Sequence, residues 1–134
     1  MPKLPSILLV DDDATVNFLN RRLLLRLEVA DQVLVAGNGR EALDLLRTHC
    51  QPPTSGCPAL LFLDINMPVM DGFAFLAAHK LLPSEEQEAV VIVVLTTSAS
   101  PRDTERLKEF PVADFLSKPL TQEQVERVLQ KYFA

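Results

Sequence analysis

An aspartate that follows a short apolar run is the residue of this sequence best placed to do chemistry. Residues 60–63 read LLFL, the pattern of a strand covered on both faces, and Asp64 follows at the carboxyl end of that expected strand. In open α/β sheets ligands collect at that edge, because helix N-termini and loops converge there. Other expected strand ends carry polar groups too: Asp11 and Asp12 after ILLV at 7–10, Thr96 after AVVIVVL at 89–95, and Lys118 just beyond ADFL at 113–116. In one crevice these make a group of carboxylates, a hydroxyl and an ammonium. Like carboxylates at ~4 Å repel by about 4 kcal/mol per pair at an effective dielectric near 20, so unless one is protonated a cation must sit among them. Hard oxygen ligands with room for water favour Mg²⁺, and no Cys or His set adequate for zinc exists. Metal, lysine and hydroxyl can each neutralise or bond an equatorial oxygen of a transferring phosphoryl group, so the set suits phosphoryl handling. Asp64 is then the expected nucleophile, forming an acyl phosphate.

The elements that must position these groups alternate. Residues 7–10, 33–36, 60–63, 89–95 and 113–116 are expected strands. Helices are expected over 14–27, with Val16, Leu19, Leu23 and Leu27 inward and Asn20, Arg21, Arg22 and Arg26 outward, and over 40–49, with Ala42, Leu45 and Leu46 inward. A third covers 73–82, with Phe73, Leu76, Ala77 and the stem of Lys80 toward the sheet, and a fourth begins at Pro101 with Ser100 as its cap. The last opens on Thr121 to Gln124, a capping-box pattern, and buries Val125, Val128, Leu129 and Tyr132. Asp13 reads as a cap of the first helix. Gly37, Asn38 and Gly39 suggest a turn with positive φ. Five strands alternating with five helices imply an α/β, doubly wound parallel sheet with right-handed crossovers. The stretches 50–58 and 83–88 read as surface loops, His49 and His79 as helix-surface residues, and Met67 and Met70 as loop packing.

A chain of 134 residues suits one domain over 1–134, and 48% hydrophobic with 23% charged residues is an ordinary globular composition. The strongest apolar run is far shorter than the ~20 residues that span a bilayer, and the start MPKLPSILLV lacks the layout of a signal peptide. A net charge of −5 argues against a nucleic-acid footprint, so a cytoplasmic protein binding neither nucleic acid nor membrane is expected. Cys50 and Cys57 flank QPPTSG. A disulfide closing that loop is conceivable, as is a metal site with His49, but two unpaired thiols are the expectation, since cytosolic thiols stay reduced and zinc needs four ligands.

ILLVDDD at the first strand, FLDINMPVMDG around the third, LTTS after the fourth and SKPL after the fifth together resemble the receiver domain of two-component response regulators, across essentially the whole chain and in order. The resemblance implies a flavodoxin-like (βα)5 fold with strand order 2-1-3-4-5. It also implies Asp64 as phosphoacceptor, charged by a sensor histidine kinase or a histidine phosphotransfer protein, or by a small phosphodonor in a self-catalysed reaction. Asp12 would bind Mg²⁺ directly, Asp11 through water, with Asp64 and the backbone carbonyl of Asn66 completing the protein ligands. Lys118 would pair with the phosphate across a cis Lys118-Pro119 bond, and Thr96 would swing in to bond a phosphate oxygen. Phe115 would follow the space that Thr96 leaves, altering the face of the fourth helix, fifth strand and fifth helix, with Tyr132 a second sensor. Asn66 and Ser98, each two positions past a key residue, would influence hydrolysis of the acyl phosphate. No output domain is expected to follow, so the expectation is a stand-alone signalling protein rather than an enzyme, which binds a downstream protein target, passes phosphate onward in a relay, or forms a homodimer on phosphorylation. The rival readings are an interaction module that is never phosphorylated and an aspartate-nucleophile phosphohydrolase. The latter wants a second acid where Asn66 stands.

Overall fold

The computed structural model describes residues 3–50, 57–97 and 100–133. Five strands, β1 (Leu4–Val10), β2 (Ala30–Ala36), β3 (Leu60–Leu63), β4 (Val91–Thr96) and β5 (Asp114–Ser117), are interleaved with helices. The helices are α1 (Ala14–Arg26), α2 (Gly39–His49), α3 (Gly72–His79), α4 (Ser84–Glu88), α5 (Pro101–Leu107) and α6 (Gln122–Phe133). The strands form one parallel sheet in the order β2-β1-β3-β4-β5, as the resemblance implies. Successive side chains of a strand leave on opposite faces, and the core divides accordingly. Leu8, Val10, Leu61, Leu63, Ile92 and Val94 pack on one face beneath α2, α3 and α5. Ile7, Leu9, Leu60, Phe62, Val93 and Leu95 pack on the other beneath α1 and α6. Burial on both faces is why these strands read as unbroken apolar runs.

The register decides where the polar strand ends fall. Val10 lies opposite Ala36 and Leu63, and Leu63 opposite Val94. The ladder runs one step past the strands: Asp11 N–H donates to Ala36 O (3.1 Å), Asp64 N–H to Val10 O (2.9 Å) and Lys118 N–H to Thr96 O (2.9 Å). Asp11, Asp64, Thr96 and Lys118 therefore share the carboxyl edge of the sheet.

Several helix ends follow the expected local chemistry. Asp13 caps α1, accepting from Thr15 and Val16 N–H, and Ser100 Oγ accepts from Asp103 N–H at α5. Thr121 and Gln124 form a reciprocal box: Thr121 N–H donates to Gln124 Oε1 (3.1 Å) and Gln124 N–H to Thr121 Oγ1 (3.2 Å).

The inward faces of α1 and α3 depart from expectation. Leu23 of α1 and Leu27 at its C-cap pack against the core as expected, but the most buried residues of the helix are Asn17, Asn20 and Leu24, and Leu19 stands 54% exposed beside Phe18 at 61%. Leucines 23–25 leave the spacing ambiguous between two stripes. The decision comes from Asn17, whose Nδ2 donates to Asp11 O (2.8 Å) and Ala36 O (3.4 Å) at the sheet edge. On α3, Ala77 is exposed, whereas Phe75 and His79 are buried with Phe73 and Leu76. His79 is thus a core residue and not a surface one: its ring stacks on Phe75 (6.0 Å between centroids), and burial pushes its pKa below the ordinary value.

Three loops also differ. Residues 83–88 hold the short helix α4, with Pro83, whose φ of −52° suits a helix start, at its cap. Asn38 has φ −164° and caps α2 through Glu41 N–H, and none of the described glycines has positive φ. Gly39 is needed for space instead: a Cβ there would lie 2.8 Å from Met70 O. Finally, Cys50 and Cys57 are a disulfide and not two thiols, because the end of α2 and the approach to β3 bring their Cα atoms to 4.4 Å, within bridging range. Residues 51–56 between them lie outside the described residues.

The face of α1 can be tested by chemical denaturation. Leu24→Ala should cost about 2–5 kcal/mol, since Leu24 is fully buried. Leu19→Ala should stay within about 0.5 kcal/mol.

Candidate functional site

The acidic crevice forms because two buried strands end in aspartates at the same level. Asp11 and Asp64 are 5% and 6% exposed, while Asp12 faces solvent. One carboxylate oxygen from each of the three lies within 4.8 Å of the others. Lys118 enters from the end of β5: its Nζ hydrogen-bonds Asp11 Oδ2 and lies 3.5 Å from Asp64 Oδ2. Lys118-Pro119 is a cis bond, as expected, and the next residue, Leu120, is buried under α6. Asp64 Oδ1 accepts from Asn66 N–H (3.2 Å), and Asp11 Oδ1 from Asp13 N–H (2.9 Å).

The titration behaviour follows from this packing. Burial pushes the Asp64 pKa up. The Asn66 amide and the Lys118 ammonium pull it down without cancelling that, and the Asp11 charge adds to the rise. For Lys118, burial works to lower the pKa, but its hydrogen bond to Asp11 and the charges of Asp11 and Asp64 outweigh it, and the net direction is upward. The ammonium therefore stays charged at neutral pH and is held by the acids it balances.

The loop after Asp64 is folded tightly onto the strand. Gly72 N–H donates to Ile65 O (3.0 Å), and a Cβ on Gly72 would lie 2.6 Å from Ile65 Cα and 2.9 Å from Asp64 O. Between them Met70 N–H turns back to Pro68 O (2.7 Å), which places Val69 at φ 68°. That is a γ-turn with a β-branched residue at its centre, a conformation that costs on the order of 1–3 kcal/mol. Asp71 then caps α3, accepting from Ala74 N–H (2.8 Å). The roles of Gly39, Gly72 and Val69 were not apparent from the sequence, because a tight approach between two loops leaves no local pattern.

Thr96 is buried at the end of β4, whereas Thr97 is exposed and lines a groove with Val16, Leu19, Leu23, Lys118 and Pro119. Ser98 lies outside the described residues. Phe115 is half-buried and borders a recess with Leu107, Phe110 and Val112 between α5 and β5. Tyr132 spans from α6 to β5, its hydroxyl donating to Ala113 O (2.6 Å).

Three carboxylates within 4.8 Å, with no thiolate or imidazole among them, fit a hard divalent cation of the Mg²⁺ class. A parallel α/β sheet with such a crevice at its carboxyl edge has the arrangement in which open α/β sheets bind ligands, and comparison with known proteins gives the family. The response regulator receiver domain family matches residues 7–130 of the chain. The probable methanogenesis regulatory protein FilR2 of Methanothrix harundinacea is 34% identical over 125 residues, covering 93% of this chain and 79% of that protein. Among solved structures, a two-component response regulator from Cytophaga hutchinsonii superposes with a TM-score of 0.85 at 27% identity, covering 96% of each chain. The chemotaxis protein CheY4 of Vibrio cholerae gives 0.77 at 27% identity, over 96% of this chain and 98% of its own. The chain belongs to the response regulator receiver family, whose members are signalling domains that bind Mg²⁺ in an acidic pocket and are phosphorylated on aspartate.

Because the Asp64 pKa is raised in the fold, the folded protein holds a proton that the unfolded chain has lost, so this residue's contribution to stability falls as pH rises through and above the ordinary carboxylate range. Without added metal, Asp64→Asn should therefore be more stable than wild type at pH 7, and the gap should narrow as pH falls toward 4. Paired urea melts across that range check it.

Proposed function

We propose that this protein is a phosphoacceptor whose Asp64 takes a phosphoryl group from a phosphohistidine of a sensor kinase or a histidine phosphotransfer protein. The observation that carries the reading is the buried Asp64 carboxylate with Asp11, Asp12 and Lys118 gathered around it. An oxygen of Asp64 attacks phosphorus in line, the P–N bond to the donor imidazole breaks, and the imidazole departs with the electron pair. Asp11, Asp12, Asp64 and the Asn66 carbonyl would hold a Mg²⁺ ion, which would supply neutralisation of the phosphoryl oxygens. Lys118 moves its ammonium from Asp11 to a phosphoryl oxygen, a short step, since Asp64 Oδ2 is already 3.5 Å away. The Asn66 amide steadies the carboxylate that reacts.

The phosphorylated state then favours one conformation of an existing pair. The Thr96 hydroxyl turns to the phosphate, and Phe115 shifts within the recess between α5 and β5. The face of α5, β5 and α6 presents a changed surface to a protein target or a second copy. The groove between α1 and residues 118–120, about 500 Å³ and mostly apolar, adjoins Lys118 and supports docking of the donor beside Asp64. We place the protein in the cytoplasm, where kinases draw on ATP; among the described residues no helix is long and apolar enough to cross a membrane. A phosphohydrolase is disfavoured because Asn66, an amide, stands where that chemistry wants a second acid.

With Mg²⁺ and acetyl phosphate, wild type should gain one phosphoryl group by intact mass, and Asp64→Asn none. Equal gain in the variant would overturn the assignment of Asp64. Lys118→Ala should still be phosphorylated, slowly, but lose about 1–3 kcal/mol of coupling to the output face. The single tyrosine, Tyr132, reports this: its fluorescence should change on phosphorylation in wild type and little in Lys118→Ala.

A further inference from the structure

Helix α2 is fastened at both ends to the segment that carries Asp64. At its N-terminus Gly39 N–H donates to Met70 O (2.9 Å), and the absent Cβ lets the helix sit against that carbonyl. Met70 belongs to the loop that leaves Asp64, five residues or fewer from Asn66 and Gly72. At the other end Cys50 is the C-cap, its N–H donating to Leu46 O (2.7 Å), and it is bonded to Cys57, which leads into β3. Both cysteines are buried, in the same apolar cluster as Leu46, Leu61 and Ile92. β3 is thus held before its first residue by a covalent bond and after Asp64 by a hydrogen bond, with one rigid helix linking the two.

We propose that Cys50 and Cys57 form a reversible thiol–disulfide site, exchanging with a low-molecular-weight thiol couple of the glutathione class when local opening of the C-terminal end of α2 exposes the buried sulfurs, and that its state fixes or frees α2 and through it the loop after Asp64. In a reducing compartment a bridge of this kind is transient and serves sensing more than scaffolding. Oxidation joins the two sulfurs as each thiol gives up one proton and one electron, and glutathione disulfide accepts both pairs to become two glutathiones. Reduction reverses this. With the bridge closed, α2 presses Gly39 onto Met70 and holds the loop in shape for phosphoryl transfer. With it open, the C-terminal tether is lost and the Gly39 contact loosens. The effect on phosphoryl uptake rests on the receiver reading given above.

The experiment equilibrates the whole protein with excess glutathione or excess glutathione disulfide and reads the thiols by alkylation and intact mass. Each form is then followed by amide hydrogen exchange at Gly39 and by phosphoryl uptake from acetyl phosphate with Mg²⁺. The bridge should open and close reversibly. Opening should speed Gly39 exchange and slow phosphoryl uptake, each by about fivefold or more. Cys50→Ala with Cys57→Ala should match the reduced form under both conditions. Thiols that do not interconvert, or a Gly39 exchange rate that is the same in both forms, would overturn the proposal. Uptake at equal rates in the two forms would overturn the coupling while leaving the receiver reading in place. Absence of uptake from both forms would instead remove the receiver reading, and Gly39 exchange would then decide the redox site alone.

Discussion

The structure depends on the parallel register that sets β1 and β3 to end at one level, with β4 and β5 running two residues further along the same edge. That alignment puts Asp11 and Asp64 side by side in a buried edge, with Asp12 above them, where two negative charges are costly to keep close. Lys118 is the countercharge in this state. Its ammonium reaches across the crevice to Asp11 and Asp64, and its own placement comes from the ladder bond to Thr96 O. The raised pKa values of Asp64 and Lys118 are two views of one fact: the crevice holds more negative charge than its surroundings comfortably solvate. A divalent cation bound there relieves that excess.

Precision at that site comes from backbone contacts as much as from charges. The loop leaving Asp64 passes so close to the strand that Gly72 admits no side chain, and it turns through Val69 in a conformation that a β-branched residue resists. Asn66 offers its amide to Asp64 as a result. The second glycine contact, Gly39 on Met70, carries the constraint outward to α2 and so to the disulfide at its far end. The loop is therefore positioned both by the strand it leaves and by the start of α2, which is the rigidity that a reacting carboxylate needs.

α1 shows how the site shapes the rest of the fold. Its asparagines turn inward because Asn17 supplies a donor to the carbonyls of Asp11 and Ala36 at the strand ends, leaving Phe18 and Leu19 outside. A helix that buries amides and exposes a phenylalanine is poor packing judged alone. Beside a sheet edge with carbonyls to satisfy, and a groove that opens next to Lys118, it is consistent.

What the sequence by itself determined was everything written in local or periodic patterns. The five apolar runs, the acids and lysine just past them, the caps at Asp13, Ser100 and Thr121, and the order of motifs were readable, because strand burial, capping and turn chemistry act over a few residues. Only the tertiary structure decided that Asn17 and Asn20 of α1 turn inward while Leu19 stays outside, that His79 stacks on Phe75 in the core, and that Gly39 serves close approach and not positive φ. It also decided that Cys50 meets Cys57, since the 4.4 Å between their Cα atoms is set by where α2 ends beside β3. Each of these depends on what lies across from a residue in space. A single chain read in order records the spacing of its own side chains, not the identity of the neighbour each will meet.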